Sequence, residues 1–256
     1  MNYFMHKYSL PKSGYRKADY EDACAVATVE RNGMTYLYAA VSDGAAESSF
    51  AGQWAKMLSR AYAKGLILDP NDLEDQVIRL AQRWEQCAGR RRMPWFAEEK
   101  KRKGAFASLC GVRFCPNPRP SDRSGIWSAL AVGDSCLFQV RKDELITAFP
   151  LSRADAFGAA PVLISSLPAD NSLAWEHLKT MTGNWEKGDL FIAGTDALAR
   201  WFLVQHEKNE RPWQCLSELQ TLEDPEIAFR RWADMYRQSM QMKNDDITLI
   251  LIEIGA

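Results

Sequence analysis

Carboxylates stand at the ends of several apolar runs in this sequence, and they are the residues best suited to chemistry. They are Glu21 and Asp22 before residues 23–27, Asp43 after residues 36–41, Asp196 after residues 189–195, and Asp245 and Asp246 before residues 247–252. Such runs predict buried strands, so the acids are expected at the rim of a sheet. For an isolated Ser-Asp-Gly such as residues 42–44, capping of the helix predicted from about Ser48 is the simpler interpretation. The repetition at several strand ends favours a ligand role instead.

Carboxylates without a histidine or cysteine beside them form a hard-oxygen site, which suits Mg²⁺ or Mn²⁺ and is poor for zinc or copper. Two such ions about 3.5–4 Å apart can lower the pKa of a bound water and present hydroxide in line with a phosphoryl group. The sequence has no Gly-x-Ser-x-Gly elbow and no Cys-x5-Arg loop that would supply a covalent nucleophile. A water activated at such a site would attack its substrate directly, without a covalent intermediate.

Composition favours one globular unit without a bulk electrostatic field. The 256 residues are 46% hydrophobic, and the formal net charge is −1, from 32 basic and 33 acidic residues. The six cysteines and three histidines are scattered, so neither a zinc module nor a disulfide framework is indicated. No apolar run approaches the roughly 18 residues of a membrane span. We predict a single domain over residues 1–256, cytoplasmic and monomeric, with no membrane partner.

A basic stretch invites a nucleic-acid interpretation, because residues 90–92 and 100–103 are rich in arginine and lysine and flank Trp95 and Phe96. Glu98 and Glu99 interrupt this stretch, and the rest of the chain is balanced in charge. We therefore predict no nucleic-acid partner, and a solvated helix end is favoured over a phosphoprotein docking segment.

The order of the predicted elements indicates an α+β fold. Asn32-Gly33 predicts a hairpin between strands 23–30 and 34–42, which would bring Glu21, Asp22 and Asp43 to one end of a sheet. The other predicted strands are 3–10, 105–114, 125–132, 135–140, 144–149, 178–182, 190–195 and a central 246–254; the predicted helices are 48–66, one from about 71, 197–206, 213–221 and 225–241. We expect the last helix to begin at the N-cap Asp224 and to bury Phe229, Trp232, Met235 and Tyr236. This order predicts a four-layer α-β-β-α sandwich, with two mainly antiparallel sheets face to face and a helix layer outside each. A doubly wound α/β fold is less favoured, because the strands of 105–149 follow one another without helices.

Five motifs, in register between about residues 14 and 254, resemble the type 2C family of metal-dependent serine/threonine protein phosphatases. They are Glu21-Asp22-Ala23, Val41-Ser42-Asp43-Gly44, Ala131-Val132-Gly133-Asp134-Ser135, the run from Gly188 to Asp196, and Asp245-Asp246-Ile247-Thr248. The resemblance implies the same four-layer sandwich and two bound Mg²⁺ or Mn²⁺ ions. It implies that Asp43 bridges both ions, that Glu21 and the Gly44 carbonyl hold one, and that Asp196 and Asp245 hold the other. Asp22 would support this cluster, and Asp134 would help to hold a weaker third ion or would be a simple turn residue.

The substrate that the resemblance implies is phosphoserine or phosphothreonine in a protein, with a cognate serine/threonine kinase as a further partner. Three motifs depart from the family pattern. Ala45 and Ala46 replace a Gly-Gly pair, Ala197 replaces a glycine, and Asp246 replaces an asparagine and would add a negative charge near the metals. A catalytically silent phosphatase-like domain that binds phosphoproteins or a regulatory partner is therefore the alternative function, and an unrelated phosphoester hydrolase is a third.

The cation that would hold the substrate phosphate is ambiguous in this sequence. The family places an arginine four residues before the first ligand glutamate, where this chain has Lys17, while Arg16 lies one residue earlier. The planar fork of arginine can hold two phosphate oxygens, whereas lysine offers a point charge. We predict that Arg16 rather than Lys17 contacts the phosphate, with both as solvated loop residues as the simpler alternative.

Overall fold

The computed structural model of the chain describes residues 2–45, 50–89, 103–117, 124–158 and 160–255. The predicted basic stretch, apart from Lys103, and the predicted start of a helix at Ser48 lie outside these residues. The strands are β1 Tyr3–Leu10, β2 Ala23–Arg31, β3 Met34–Ser42, β4 Phe106–Ala107, β5 Leu109–Pro116, β6 Ser124–Val132, β7 Cys136–Arg141, β8 Glu144–Phe149, β9 Ile164–Ser165, β10 Lys179–Glu186, β11 Leu190–Gly194 and β12 Ile247–Ile254. The α-helices are α1 Ala51–Ala63, α2 Pro70–Gly89, α3 Ser172–Glu176, α4 Asp196–Glu207, α5 Pro212–Leu219 and α6 Pro225–Gln238.

The first sheet has the antiparallel order β1-β12-β11-β7-β8. The closing strand β12 lies between β1 and β11, as its continuous apolar sequence predicts. Leu249 and Leu251 belong to the apolar cluster on the helical side, whereas Ile250 and Ile252 belong to the cluster between the sheets. Both faces of β12 are buried, which explains why its sequence does not alternate.

The second sheet has the antiparallel order β10-β6-β5-β3-β2. Its β2–β3 hairpin turns at Asn32 and Gly33, whose φ angles of 51° and 73° suit the tight turn that Asn-Gly favours. Ala23 pairs with Ser42 at the far end of this hairpin. Asp22 and Asp43 are therefore neighbours at one rim of the sheet, as the hairpin predicts.

Three apolar clusters separate four layers of structure. Leu37, Phe114, Trp127, Phe191 and Ile250 fill the space between the two sheets. Trp54, Leu58, Leu73 and Val77 pack α1 and α2 outside the second sheet, and Trp201, Phe202, Leu216 and Phe229 pack α4, α5 and α6 outside the first. The predicted α+β, α-β-β-α sandwich is thus confirmed, and no described helix is long and apolar enough to cross a membrane.

Two local predictions were wrong. The strand predicted over residues 105–114 breaks at Ser108, because β4 pairs with β9 while β5 pairs with β3 and β6. In α6, Asp224 caps the helix through a hydrogen bond from Ile227 N as predicted, but Met235 is 54% exposed. Met235 lies at the edge of the face that buries Phe229 and Trp232, since helical positions advance by about 100° per residue.

Candidate functional site

The predicted acids meet at one rim of the two sheets. Asp22 precedes β2, Asp43 follows β3, Asp134 lies in the turn between β6 and β7, and Asp196 begins α4. The charge of Asp196 acts on Asp22, Asp43 and Asp134 alike. Four separate chain segments therefore converge on one acidic centre.

Asp22 is the most enclosed of these acids, with 1% of its surface exposed. Its Oδ2 accepts hydrogen bonds from the hydroxyls of Thr195, at 2.8 Å, and Thr248, at 3.0 Å. The Thr248 hydroxyl also contacts that of Tyr20, and the Thr195 hydroxyl accepts a bond from Thr248 N. Burial, helped by the charges of Asp246 and Asp196, raises the pKa of Asp22 to about 8. This position suits the supporting role that the sequence predicts for Asp22.

Asp43 is held in place through its backbone. Its N–H donates to the hydroxyl of Ser108 at 3.0 Å, and its carbonyl accepts from Ser108 N at 2.8 Å. The Ser108 hydroxyl also lies 2.7 Å from that of Ser135 in the β6–β7 turn. Burial and then the charge of Asp22 raise the pKa of the Asp43 carboxyl well above its ordinary value. The break in the strand at Ser108 thus fixes the central acid of the site.

Asp134 has an oxygen without a protein partner. The residue is 7% exposed, and its buried Oδ1 has no hydrogen bond from any residue that the structure describes. Burial, followed by the charge of Asp196, raises the pKa of Asp134 to about 6. A buried carboxylate oxygen without a donor is costly, and a cation would compensate for it.

Asp196 and Asp245 share a lysine. The ammonium of Lys243 donates to Asp196 Oδ2 at 3.0 Å and lies 2.6 Å from Asp245 Oδ2. Ala197, which follows Asp196, lies inside α4, so its position needs no positive φ and alanine replaces glycine there without strain.

Glu21 and Gly44 meet through a close backbone approach. A Cβ at Gly44 would lie 2.6 Å from the Glu21 carbonyl oxygen, and one at Gly52 would lie 2.9 Å from Glu21 Cα. The φ of Gly44 is not positive, so the requirement for glycine at this position is space against Glu21 and α1. Asp246 accepts hydrogen bonds from Glu21 N at 2.7 Å and Lys12 N at 2.9 Å. Asp246 thereby anchors two loops, while its negative charge also acts on Asp22, in keeping with the expected added charge near the site.

We predict that Gly44→Ala and Gly52→Ala each destabilise the protein by about 1–3 kcal/mol, because the added methyl overlaps backbone that cannot move independently. Urea unfolding in the presence of chelator measures this loss. Gly158→Ala is the matched control, since the nearest atom to its Cβ is 4.0 Å away. Unfolding of Gly44→Ala at the wild-type midpoint would contradict the close approach.

A groove of about 1030 Å³ opens beside Glu21. Its lining includes Lys12, Tyr20, Glu21, Gly52 and Lys56, together with Asp19.

Arg16 precedes and Lys17 begins a short 3₁₀ turn, whose Ala18 and Asp19 line this groove. The Arg16 side chain is 83% exposed, and its Nε and Nη2 donate to the two carboxylate oxygens of Asp19 at 3.1 Å each. Their roles in phosphate binding stay predictions.

The architecture has close counterparts among solved structures, although no family model and no curated protein sequence matches the chain. The Mycobacterium tuberculosis serine/threonine phosphatase PstP/Ppp aligns with a TM-score of 0.60 and 14% identity over 99% of each chain. The photosystem II phosphatase PBCP aligns with a TM-score of 0.55 and 14% identity over 100% of each chain. The S. agalactiae serine/threonine phosphatase aligns with a TM-score of 0.54 and 16% identity over 98% of this chain and 100% of the other.

The chain has the phosphatase 2C fold. At these identities the likeness concerns architecture, so the chemistry must be judged from the residues at the rim.

The metal ions that the phosphatase 2C fold implies match the donor set in kind, because every acid at the rim is an oxygen ligand. The unpartnered oxygen of Asp134 and the raised pKa values of Asp22 and Asp43 fit a cation on that side of the cluster. The fit is poorer at Asp196 and Asp245, which Lys243 already bridges. Within the described residues, no three acidic, histidine or cysteine side chains converge closely enough to form a complete metal cage.

The sequence did not point to Ser108, Gly52 or Lys243. Ser108 lies inside an apolar run, and Gly52 lies inside a helical pattern. Each matters only because another segment of the 2C fold packs against it. The one sequence feature that could have indicated Lys243 is its position two residues before the predicted ligand Asp245. Whether the lysine contacts that acid depends on the loop conformation.

Proposed function

We propose that the chain is a metal-dependent protein phosphatase that hydrolyses phosphoserine and phosphothreonine with an activated water. The observation that carries this proposal is the convergence of the buried Asp22 and Asp134 with the half-buried Asp43, all three with raised pKa values. Positive charge beside these acids would favour their ionised forms, so the site is suited to divalent cations.

The residues at the rim would have different roles in this reaction. Asp43, with Glu21 and the Gly44 carbonyl, would hold Mg²⁺ or Mn²⁺. When bound, such an ion supplies an acidified water and neutralises charge on the phosphoryl group. Asp22 accepts hydrogen bonds from Thr195 and Thr248 and thereby fixes the carboxyl beside Asp43. The groove beside Glu21 would admit the substrate, with Lys12 and Lys56 in its lining.

Manganese is the first ion to test. The catalytic domain of PstP, which aligns with a TM-score of 0.58 and 14% identity, is described as a complex with two manganese ions. For this chain, two ions at Asp43, Glu21, Gly44, Asp196 and Asp245 were predicted from sequence, and that stoichiometry is considered separately below. A phosphorylated protein is the proposed substrate, and a cognate kinase and a monomeric state remain predictions.

The substrate class is tested by comparing a phosphothreonine peptide, a phosphotyrosine peptide and a nucleoside triphosphate under the same Mn²⁺ concentration. Phosphate release that favours the phosphothreonine peptide supports the proposal. Release from the nucleotide but from neither peptide would contradict it and would indicate an unrelated phosphoester hydrolase.

A catalytically silent phosphatase-like domain is the second candidate. The observation that favours it is the bridge of Lys243 between Asp196 and Asp245, two of the predicted ligands. A silent domain would bind a phosphothreonine peptide without releasing phosphate at any Mn²⁺ concentration. If divalent ions also fail to raise its melting temperature, the silent function is favoured further, since ligands that bind the folded state stabilise it.

We predict that Arg16→Ala raises KM for a phosphothreonine peptide several-fold more than Lys17→Ala does, at unchanged Mn²⁺ affinity. Arg16 must exchange Asp19 for phosphate, and this exchange is easy because the ion pair is solvent-exposed. Asp19→Asn should therefore lower KM by releasing the guanidinium. Steady-state kinetics of the three variants give the ranking. A larger effect of Lys17→Ala would transfer the role to Lys17.

A further inference from the structure

The ammonium of Lys243 contacts two acids of the cluster, with 58% of the lysine side chain exposed to solvent. It lies 3.0 Å from Asp196 Oδ2 and 2.6 Å from Asp245 Oδ2, and its charge also acts on Asp134. Burial opposes the charge on Lys243, but hydrogen bonds to Asp245 and Asp196 raise the pKa of the ammonium above its ordinary value. Lys243 is therefore a cation with acids on several sides.

The loop that carries Lys243 is anchored on both sides. Met242 before it is buried in the helical apolar cluster, and its N–H donates to Tyr236 O at 3.1 Å. On the other side, Asp245 N donates to Lys243 O at 3.0 Å. The Arg237 side chain, 5% exposed, donates to Asp245 O at 2.6 Å. This anchoring limits the positions that the lysine side chain must sample to reach its two acids.

We propose that Lys243 takes the place of a divalent ion between Asp196 and Asp245. The chain then binds a single divalent metal ion, on the Asp43 side of the cluster. The inference rests on the proposed metal-dependent function for the role of that remaining ion. It replaces the two-ion arrangement that the resemblance implies with one divalent ion and one built-in ammonium.

Ligand number favours the ammonium at this position. Mg²⁺ requires near-octahedral coordination and gives up its water reluctantly, whereas Asp196 and Asp245 offer two carboxylates. A tethered ammonium needs only hydrogen-bond acceptors, and its effective concentration at the site is about millimolar or higher. Asp43 differs because the charges of Asp22, Asp196 and Asp134 all act on its carboxyl. The Asp43 side thus keeps its need for a cation after Lys243 has neutralised part of the cluster.

The test counts Mn²⁺ ions per chain by equilibrium dialysis after the protein has been stripped with chelator. We expect one ion for the wild type, two for Lys243→Met, and one for Lys243→Arg, which keeps a cation. Lys208→Met, on an exposed residue after α4, is the matched control and should bind one ion. In electron paramagnetic resonance, Lys243→Met should add the signal of two neighbouring Mn²⁺ ions that the wild type lacks.

A second variant keeps the test independent of how Lys243→Met folds. Asp196→Asn in the wild-type background should leave the count at one, because the single ion does not depend on Asp196. Two ions on the wild type, an unchanged count in folded Lys243→Met, or loss of the ion in Asp196→Asn would each overturn the inference. These counts do not require turnover: a wild type that binds one ion and hydrolyses no phosphoester would support the inference and overturn the proposed function.

Discussion

Replacing Asp43 with alanine is expected to reduce phosphopeptide hydrolysis by about a thousandfold or more, because it removes the central ligand and the several kcal/mol of charge stabilisation that a bound ion supplies. The charges of Asp22, Asp196 and Asp134 all act on Asp43. Its backbone stays anchored to Ser108 in the variant, since both of those hydrogen bonds use main-chain atoms of residue 43. The loss should therefore concern chemistry and leave the fold intact.

The same variant should be as stable as the wild type, or more stable, when chelator is present. Burial raises the pKa of Asp43, so the native state without a metal is penalised by this acid. Initial rates at saturating Mn²⁺ measure the loss of hydrolysis, and thermal melts in chelator measure the stability of Asp43→Ala. Asp75→Ala, an exposed acid on α2, is the control and should change neither. Full activity of purified Asp43→Ala would exclude Asp43 as a metal ligand.

Replacing Asp22 with asparagine is expected to stabilise the chelator-treated protein at pH 8 and to have little effect at pH 4. The native pKa of Asp22 is about 8, against an ordinary value of 3.8. Between these values the native carboxyl holds a proton that the unfolded chain has released. The wild type therefore loses stability as pH rises through this window, by up to about 1.4 kcal/mol per pH unit.

Asp22→Asn removes one titrating group from this window while keeping an oxygen that can accept hydrogen bonds from Thr195 and Thr248. Urea unfolding between pH 4 and pH 8 gives the slopes, and the difference between variant and wild type should widen as pH rises. Asp75→Asn is the matched exposed substitution and should follow the wild type. Parallel slopes for Asp22→Asn and wild type would show that Asp22 does not hold its proton in the native state.

The rim of acids could be predicted from sequence because its positions are set by local patterns. The Asn32-Gly33 turn fixes the β2–β3 register, and that register places Asp22 beside Asp43. The apolar run of β12 predicts a central strand, which brings the acids before it to the same rim. In each case the signal is a turn or a period that lies within a few residues of the acid.

The contacts that hold those acids could not be predicted, because they join segments that are distant in the chain. Ser108 lies 65 residues from Asp43, and Asp246 lies 225 residues from Glu21. In the sequence, Ser108 looks like an ordinary strand residue and Asp246 looks like part of the closing acidic motif. Asp246 was expected to add charge near the metals, and only the structure reveals that it accepts the N–H groups of Lys12 and Glu21.

The contacts of Lys243 could not be predicted from the sequence for a different reason. It follows α6 in an irregular loop where Met240 has a positive φ, and no hydrophobic period fixes the direction of such a segment. A lysine near aspartates in sequence is compatible with solvent exposure, with a substrate role or with an internal ion pair. Lys243 and Asp196 lie 47 residues apart in the chain, so their bridge forms only when α4 and the loop before β12 pack together.

Phosphate release from a phosphothreonine peptide, measured with Mn²⁺ and again after addition of excess chelator, tests the central claim most directly. The account predicts hydrolysis with Mn²⁺, its loss with chelator, and its recovery when Mn²⁺ is restored. Hydrolysis that persists undiminished in chelator would contradict a metal-dependent site at the acidic rim. Absence of hydrolysis by folded protein at every Mn²⁺ concentration would contradict the proposed enzymatic function.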